Sequence, residues 1–303
     1  MENLTELLTR DEKAIFTLRA LYNKYGYSKY KMSKFEEYDL YGKNKDFLPS
    51  ENIITFTDTD GRLLALKPDV TLSIIKNSRV TDGLVKAQYN ENVYRISKGT
   101  NSFKELMQVG LECLGNVGKE ELTEVIFLAA KSLDLISESN VLEISHLDIT
   151  YGVLDFVGIS EEGKTKILDC LGKKNASGIE AICISESIGE EKIELVKKLV
   201  TVYGAPDSVI KTIDVFKVNE ETSAAVEQLK DIFAVLKEQG VSEKLCLDFS
   251  LVGDMKYYNG IAMKGFVDGI PTGILSGGQY DKMMLKMRKK ARGVGFAVYL
   301  DEL

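Results

Sequence analysis

The chain lacks most of the residues from which common metal centres are built. Among its 303 residues there is one histidine, His146, so an HExxH zinc site or a multi-histidine metal centre is excluded within this sequence. The four cysteines lie far apart and form no CxxC pair, which favours reduced and mostly buried thiols. We therefore expect no metal ion, and no pattern in the sequence indicates another cofactor.

Long apolar runs and an excess of basic residues are also missing. No run approaches the ~18 apolar residues of a membrane span, and the N-terminus, MENLTELLTRDEK, has no apolar core of a signal peptide. The formal net charge of -7 excludes a generally basic surface for gripping nucleic acid. We expect a cytoplasmic protein without a membrane or nucleic-acid partner.

What the sequence does contain is an ordinary globular composition arranged in two kinds of pattern. The contents of 44% hydrophobic and 28% charged residues are ordinary for a globular protein. The length of 303 residues exceeds that of a usual domain, so we expect either two domains or one large domain with an insertion. Alternating runs occupy both ends of the chain, and amphipathic helical patterns fill the middle. These patterns predict an α+β fold, in which residues 1–150 and 241–303 form an antiparallel sheet flanked by helices and residues 151–240 form a helical insertion.

Local patterns mark several individual elements. A capping box at Thr9 to Glu12 precedes a predicted helix that Gly26 ends, and the most regular helical pattern covers residues 220–238. Residues 27–35 are predicted to form a strand. Pro68 is predicted to open a short helix that carries an aspartate in its first turn.

The run from Val93 to Gly115, VYRISKGTNSFKELMQVGLECLG, alternates between apolar and polar residues on both sides of a turn-prone loop. It predicts an antiparallel hairpin whose apolar side, formed by Met107, Val109, Leu111 and Cys113, faces a core or a helix layer. The other side gathers a cation, an amide and a carboxylate: Arg95, Gln108 and Glu112. Such a floor suits a small zwitterionic ligand; the alternative is the solvated face of a half-exposed sheet.

Two further features have structural as well as functional interpretations. His146 shares a predicted strand face with Leu142 and Ile144, so a hydrogen-bonded structural histidine is favoured over a catalytic base. A basic cluster near the C-terminus is typical of a solvated loop or helix face, and the alternative is a local docking patch. Its members are Lys282, Lys286, Arg288, Lys289, Lys290 and Arg292.

Several separated motifs, in the same order, resemble those of the histidyl-tRNA synthetases. KPDVT at Lys67 to Thr71 resembles their (L/K)RP(E/D)xT signature, and Val93 to Gly115 resembles class II motif 2. YYNG at Tyr257 to Gly260, followed by SGGQYD at 276–281, resembles the histidine-specific motifs, and residues 293–303 are similar to motif 3. The resemblance covers both flanks of the predicted insertion and implies a class II aminoacyl-tRNA synthetase-like fold.

The sequence departs from these motifs at two positions where the synthetases carry arginine. Gly253 stands just before the tyrosine pair and Glu302 stands at the motif 3 position, whereas Arg95 is retained in motif 2. Fixed guanidinium groups stabilise the charge that develops on the α-phosphate, and losing one such donor typically costs ~10²–10³ in rate. Two losses argue against adenylation. The synthetases also continue into an anticodon-binding domain, which is not expected here after Leu303.

Among relatives of histidyl-tRNA synthetase, this combination resembles the regulatory subunits of ATP phosphoribosyltransferase, the first enzyme of histidine biosynthesis. The resemblance implies a non-catalytic subunit that the short-form catalytic subunit needs for its activity. It also implies a dimer within a hetero-octamer and participation in feedback inhibition by histidine. The residues leave two alternatives open: a divergent synthetase-like enzyme and a free-standing histidine-binding module.

The candidate histidine site combines residues from three of these motifs, and no catalytic residue is predicted. Its members are Asp69, Thr71, Arg95, Gln108, Glu112, Tyr257 and Tyr258. Asp69 offers a carboxylate for a ligand ammonium, with Thr71 as a hydroxyl partner, and the tyrosines bring a phenol and an aromatic wall. In the alternative interpretation these residues are relics held by internal hydrogen bonds, or Lys256 pairs with one of the carboxylates and fills the site.

Overall fold

The computed structural model describes residues 7–48, 52–79, 83–96, 102–252 and 257–303, except for the side chain of Glu302. The α-helices in these ranges are α1 (Arg10–Lys24), α2 (Tyr38–Gly42), α3 (Thr71–Asn77), α4 (Lys119–Ile136), α5 (Leu147–Val157), α6 (Glu161–Gly172), α7 (Ala176–Ser185), α8 (Glu190–Thr201), α9 (Pro206–Val209), α10 (Glu220–Glu238) and α11 (Asp281–Lys286). The strands are β1 (Ser28–Lys29), β2 (Phe35–Glu37), β3 (Thr55–Thr57), β4 (Leu63–Leu66), β5 (Val85–Ile96), β6 (Phe103–Gly115), β7 (Asn140–His146), β8 (Tyr203–Gly204), β9 (Leu245–Asp248), β10 (Asn259–Val267), β11 (Leu275–Gln279) and β12 (Arg292–Tyr299).

A nine-stranded sheet runs through the molecule in the order β1-β5-β6-β12-β11-β10-β7-β9-β8. From β5 to β7 in this order, each strand is antiparallel to the next, whereas the pairs β1–β5 and β7–β9 are parallel. The predicted α+β arrangement is therefore confirmed, with two parallel pairs toward the ends that the sequence did not indicate. The predicted hairpin is confirmed as β5 and β6, in which Val93 lies opposite Leu106.

The two faces of this sheet have different coverings. Val109, Leu111 and Cys113 of β6 belong to the main core, together with the buried faces of α1, α4 and α10. The opposite face carries a smaller core formed with α3, α11 and a three-stranded sheet in the order β2-β4-β3. Because successive side chains of a strand point to opposite faces, the alternation in the sequence decides which residues of β6 meet each covering.

Helix α1 has the predicted capping box at its start. The Thr9 hydroxyl accepts from the backbone N–H of Glu12, and the Glu12 carboxylate accepts from the backbone N–H of Thr9 at 3.0 Å. Just after the helix, Gly26 has a φ of 83°, a left-handed conformation that side chains with a Cβ disfavour. Helix α10 covers the predicted residues 220–238.

The structure differs from the prediction of one strand over residues 27–35. Strand β1 covers only Ser28–Lys29 and pairs with β5, and β2 begins at Phe35 in the other sheet, where it pairs with β4. The chain crosses from one sheet to the other between these two short strands. Strand-forming composition does not specify which sheet a residue joins, so the prediction merged two strands into one.

Between β7 and β9 the chain is helical apart from short 3-10 turns and the two residues of β8. The buried faces of α5, α6, α7 and α8 belong to the same core cluster as the main sheet. Strand β8 also extends that sheet by pairing with β9. That residues 151–240 form a separate insertion stays a prediction, because this region shares its core with the sheet.

The single histidine has the surroundings of a structural residue. His146 ends β7 and is buried, with its Nε2 atom 2.9 Å from Oε1 of Gln228. Burial lowers the pKa of His146, against the opposing effects of Asp148 and of the hydrogen bond to Gln228. A neutral imidazole packed in the interior agrees with the structural interpretation.

Some of the basic cluster near the C-terminus is engaged by neighbouring parts of the chain. Lys286 lies 2.7 Å from a carboxylate oxygen of Asp46, and the ammonium of Lys289 donates to the carbonyl of Ser78 at 2.9 Å. These contacts agree with the interpretation as a solvated helix face. The four cysteines, which all fall inside the described ranges, are unpaired. Within the same ranges no helix combines the length and the apolar composition needed to cross a bilayer.

Candidate functional site

A cavity of about 1120 Å³ lies over the face of the sheet that the main core does not cover. All residues of the predicted site line it: Asp69, Thr71, Arg95, Gln108, Glu112, Tyr257 and Tyr258. They come from β5, from β6, from the turn that leads into α3 and from the segment just before β10. The fold thus brings residues from distant parts of the sequence to one place.

Small residues keep the floor of this cavity low. One row of cross-strand neighbours places Gly110, Ala297 and Ser276 side by side on β6, β12 and β11, and it ends at Lys264 on β10. Two residues along each strand, on the same face, Gly295 lies directly opposite Glu112. A Cβ atom on Gly295 would lie 1.9 Å from Oε2 of Glu112, so a larger residue there would displace the carboxylate.

Glu112 is a buried carboxyl group held by two hydroxyl groups. The Thr71 hydroxyl donates to its Oε1 atom at 2.6 Å, and the Tyr280 hydroxyl donates to Oε2. The pKa of Glu112 is raised to about 8, mainly by burial; the charge of nearby Asp69 contributes to the rise, and the two hydrogen bonds oppose it. A ligand that donates a hydrogen bond or brings a positive charge would favour the ionised form of this group.

Asp69 lies just before α3, which begins at Thr71 and not at Pro68 as the sequence predicted. Its Oδ1 atom accepts from the backbone N–H of Leu72 at 2.8 Å, which fixes the carboxylate at the start of the helix. The hydroxyl of Tyr257 lies 3.5 Å from Oδ2. Burial raises the pKa of Asp69, while the charge of Arg95 and these hydrogen bonds oppose the rise.

Arg95 is held by groups of the protein itself. Its Nε atom donates to the carbonyl of Pro68 at 2.7 Å, and an Nη atom lies 3.8 Å from Oδ2 of Asp69. It also shares a hydrogen bond with Tyr299, whose hydroxyl is 2.8 Å from Oγ of Ser276. The guanidinium is therefore anchored beside the cavity, and several of its donors are already used.

Gln108 has a buried donor that no described residue satisfies. Gln108 is 2% exposed, and its Nε2 atom has no hydrogen-bond partner among the described residues. An unsatisfied buried amide costs about 1–3 kcal/mol. A ligand that accepts from this amide would therefore gain a hydrogen bond that no described residue makes with it.

Aromatic rings form one wall of the cavity. The ring centroids of Tyr257 and Tyr258 are 4.7 Å apart, and those of Tyr257 and Tyr280 are 6.2 Å apart. Tyr280 was not among the predicted site residues, although it lies in the SGGQYD motif that carried part of the resemblance. Its position in that motif was the signal that could have identified it.

Three other lining residues were also missed by the sequence analysis: Lys264, Ser276 and Tyr299. They reach the cavity because β10, β11 and β12 lie next to one another in the sheet, and no local sequence pattern indicates that these strands are neighbours. The helical region contributes as well, since Tyr151, Leu168 and Lys173 line the outer part of the cavity. The cavity therefore lies between the sheet and the helical middle of the chain.

Some of the sequence predictions concern positions outside the described residues. Gly253 and Lys256 fall in the gap at 253–256, and the side chain of Glu302 is not described. Whether Lys256 fills the site therefore stays a prediction, as do the consequences of the two missing arginines. Within the described part of the chain, no group of three or more histidine, cysteine or acidic residues is arranged to hold a metal ion.

Taken as chemistry, the cavity offers two buried carboxyl groups, an amide donor and an aromatic wall. Carboxylates suit an ammonium or an imidazole N–H, and rings of tyrosine suit a planar aromatic group. The hydroxyls of Thr71 and Tyr280 already stabilise Glu112, so the site is organised before a ligand arrives. These features fit a small amino acid with a polar aromatic side chain.

Comparisons with known proteins agree with this description. A family model for histidyl-tRNA synthetase matches residues 3–303. The ATP phosphoribosyltransferase regulatory subunit of Oceanobacillus iheyensis is 30% identical over 286 residues, which cover 92% of this chain and 69% of that protein. The regulatory subunit of Ruminiclostridium cellulolyticum is 28% identical over 292 residues, which cover 94% of this chain and 70% of that protein.

Solved structures show the same fold. An ATP phosphoribosyltransferase regulatory subunit/histidyl-tRNA synthetase from Bacillus halodurans superposes with a TM-score of 0.85 at 24% identity, covering 96% of this chain and 77% of that one. The ATP phosphoribosyl transferase (HisG:HisZ) complex from Thermotoga maritima gives a TM-score of 0.73 at 21% identity, covering 96% and 97%. The predicted class II synthetase-like fold is thereby confirmed. The chain belongs to the histidyl-tRNA synthetase family and, within it, to the regulatory subunits of ATP phosphoribosyltransferase.

Proposed function

We propose that this chain binds histidine in the cavity and, as a non-catalytic subunit, both activates a short-form ATP phosphoribosyltransferase catalytic subunit and mediates its inhibition by histidine. The observation that carries the proposal is that all the residues predicted to bind histidine line one cavity. The arginine of this cavity, Arg95, already contacts Pro68 and Asp69. The cavity thus keeps groups for an amino acid, while its guanidinium is committed elsewhere.

The histidine zwitterion matches the arrangement of polar groups. Its ammonium would lie between the carboxylate of Asp69 and the Tyr257 hydroxyl, where burial favours a charged partner. Its imidazole would donate to Glu112, and the tyrosine rings would pack against its plane. Its carboxylate would accept from the free amide of Gln108. Each of these contacts uses a group whose position is fixed by a hydrogen bond or by burial before binding.

Assembly is the second part of the proposal. The Thermotoga maritima structure is a HisG:HisZ complex of ATP phosphoribosyl transferase, and the two relatives compared above are regulatory subunits of an ATP phosphoribosyltransferase. We propose that this chain likewise joins the catalytic subunit, as a dimer within a hetero-octamer in the cytoplasm. Feedback then requires that histidine binds the active and inhibited assemblies with different affinities, because a ligand shifts only states that it distinguishes.

Mixing the chain with the short catalytic subunit is expected to raise the rate of phosphoribosyl transfer and to produce a larger complex on a sizing column. Histidine should then lower that rate. The isolated chain should show no histidine-dependent exchange between ATP and pyrophosphate. Exchange activity would support the synthetase-like alternative, and the absence of both a complex and a rate change would reject the regulatory role.

Replacing Tyr257 by phenylalanine should weaken inhibition by histidine and leave assembly intact. The substitution removes the hydroxyl that lies 3.5 Å from Asp69 and keeps the ring, so affinity should fall about three- to tenfold, as expected for one hydrogen bond of about 0.5–1.5 kcal/mol. The inhibition curve of the reconstituted enzyme measures the shift. Tyr94→Phe is the matched control, because it removes a hydroxyl bonded to Glu105, a residue that does not line the cavity. Equal inhibition of all three proteins would contradict the assignment of the pocket.

A further inference from the structure

A basic patch lies on the surface between α11 and β12. After the helix, the chain continues through the exposed residues Arg288 and Lys290. Between them, the ammonium of Lys289 donates to the carbonyl of Ser78 at 2.9 Å, and the exposed Arg79 follows Ser78 along the chain. Arg79, Arg288 and Lys290 therefore lie on neighbouring loops, and none of the three forms an ion pair with a described carboxylate. These three cations, here called the α11 patch, stand out on a chain whose formal net charge is -7.

Arg288 has a backbone conformation that is unfavourable for an arginine. Its φ is 59°, in the left-handed region. Helix α11 ends in a Schellman motif, in which the N–H of Arg288 donates to the carbonyl of Leu285 and the N–H of Lys289 to that of Met284, both at 2.9 Å. Glycine is the usual residue at the left-handed position of this motif, because it has no Cβ. A guanidinium placed there at a conformational cost, with no ion pair in the described part of the chain, indicates a role toward another molecule.

An exposed apolar side chain accompanies these cations. Leu285, in the last turn of α11, is 65% exposed, whereas Met283 and Met284 are buried in the smaller core. The helix is thus anchored on one side and presents a leucine on the other. Protein interfaces combine an apolar centre with polar and charged groups at the rim, whereas binding to a nucleic-acid backbone uses many cations spread along the surface. The combination of one leucine with three cations favours an acidic protein surface as the partner.

Helix α11 also borders the cavity. Lys286 in its last turn lies 2.7 Å from a carboxylate oxygen of Asp46, and its ammonium lies 5.0 Å from the centroid of the Phe47 ring. Asp46 and Phe47 both line the cavity. At its other end, α11 begins directly after Tyr280, whose hydroxyl donates to Glu112. A partner bound at the α11 patch would therefore contact the helix that follows a hydrogen-bond donor of the proposed histidine site, which suits the subunit whose activity histidine is proposed to control.

We propose that the α11 patch, together with Leu285, is the surface that binds an acidic face of the short-form catalytic subunit. The inference rests on the proposed regulatory function and adds the place of contact. Carboxylates of the partner would pair with three cations that no described carboxylate pairs with, and the bidentate guanidinium of Arg288 suits a carboxylate. Complementary charges at the edge of an interface act mainly on the rate of association and on the choice of partner.

The affinity between the full chain and the short-form catalytic subunit, measured at about 50 mM and about 200 mM salt, tests the proposal. The double variant Arg288→Glu/Lys290→Glu should weaken the complex at least about tenfold, because like charges would then face each other. The association rate of the wild-type pair should fall as the salt concentration rises, and that of the double variant should not. Calorimetry should show unchanged histidine binding by the double variant, since neither residue lines the cavity.

Arg288→Gly separates a role in binding from a role in folding. Glycine suits the left-handed conformation, so the free chain should unfold at the same or a higher temperature than wild type. The complex with the catalytic subunit should nevertheless be about threefold or more weaker, because one ion pair is lost. A lower melting temperature together with an unchanged complex would show that the arginine serves the fold, and it would contradict the proposal.

Lys198→Glu/Lys211→Glu is the matched control. It makes the same change of net charge at two exposed lysines of the helical middle of the chain, which also lack ion pairs within the described ranges. The affinity and its salt dependence should stay near those of wild type. If both double variants weakened the complex equally, the net charge of the chain and not the α11 patch would govern association, and the assignment would be wrong.

The remaining outcomes separate this inference from the function on which it rests. If the wild-type chain binds and stimulates the catalytic subunit and Arg288→Glu/Lys290→Glu does so equally well, the α11 patch is wrong and the regulatory function stands. If the wild-type chain neither binds nor stimulates the catalytic subunit, both proposals are overturned. Binding of a short single-stranded RNA that the double variant loses, with the protein complex unchanged, would assign the patch to nucleic acid instead.

Discussion

Replacing Lys67 by methionine should reduce the free energy of unfolding by about 3–5 kcal/mol, the usual cost of removing one partner of a buried ion pair. The side chain of Lys67 is 1% exposed and forms an ion pair with Glu91, whose side chain is 15% exposed. Methionine keeps the length of the side chain and removes the charge. The carboxylate of Glu91 would then remain largely buried, with only the backbone N–H of Met32 as a described hydrogen-bond donor.

The substitution should also disturb the cavity, because Lys67 connects three parts of the chain. Its backbone N–H donates to the carbonyl of Lys34 at 3.2 Å, and its own carbonyl accepts from Tyr94 at 2.9 Å. Asp69 follows two residues later. Disturbing this crossing would misplace the carboxylate that is proposed to hold the ligand ammonium.

Urea denaturation measures the effect on stability, and two further variants control it. Lys43→Met breaks an exposed ion pair with Asp39 and should cost less than about 1 kcal/mol. The double variant Lys67→Met/Glu91→Gln should recover part of the loss, because no unpaired carboxylate is left in the interior. If the two lysine substitutions lowered the free energy of unfolding equally, the buried ion pair would stabilise the fold no more than the exposed one.

Replacing Glu112 by glutamine should stabilise the ligand-free protein at alkaline pH and weaken its affinity for histidine. In the folded protein the pKa of Glu112 is raised from 4.5 to about 8, mainly by burial. Between these values the folded state binds more protons than the unfolded state, so the free energy of unfolding falls as the pH rises. The contribution of Glu112 to the free energy of unfolding is fully present below about pH 4.5 and is lost as the pH rises to about 8. Each pKa unit corresponds to about 1.4 kcal/mol.

Glutamine removes this titration while keeping the shape of the side chain. Its carbonyl accepts from Tyr280 and its amide donates to the oxygen of Thr71, so both neighbours keep a partner. The difference in stability between the two proteins should therefore be small near pH 4.5 and reach a few kcal/mol near pH 8.5. The affinity for histidine should fall about ten- to hundredfold, because a charge-assisted bond is replaced by a neutral one.

Denaturation at about pH 5, about pH 7 and about pH 8.5 measures the change in stability, and calorimetry with histidine measures the change in affinity. Glu105→Gln is the control, since Glu105 is an exposed carboxylate that accepts from the side chains of Asn92 and Tyr94 and lies away from the cavity. Hydrogen bonds from these two side chains lower the pKa of Glu105, so its substitution should not produce a gain at alkaline pH. Parallel stability curves for wild type and Glu112→Gln would mean that Glu112 is ionised throughout.

These two expectations have opposite signs for stability, and the difference comes from the surroundings of each charge. Glu91 has a cation that compensates its burial, so breaking that pair destabilises the fold. Glu112 has only neutral hydroxyl donors, so its charge is a cost until a ligand supplies a partner. A ligand that supplies a partner for this charge would therefore stabilise the folded protein.

Much of the hairpin and its polar face could be predicted from the sequence. The alternation of β6 determines that Gln108 and Glu112 share one side and that Val109 and Leu111 share the other, because a strand has a period of two residues. The capping box before α1 and Gly26 after it act over a few residues, so they could also be predicted from the sequence. The short strands β1 and β2 could not be predicted, because strands of two or three residues form only where a partner strand pairs with them.

The sequence by itself determined the helices with clear caps, the two faces of the central hairpin and, through ordered motifs, the resemblance to one family. Only the tertiary structure decided that Asp69 lies beside Tyr257 and that Tyr280 donates to Glu112. It also decided that Lys264 and residues from the helical middle of the chain line the same cavity. Periodicity and capping are local and can be read along the chain. Strand order, burial and the proton affinity that burial imposes on Glu112 depend on which distant segments pack together, and no local pattern encodes that.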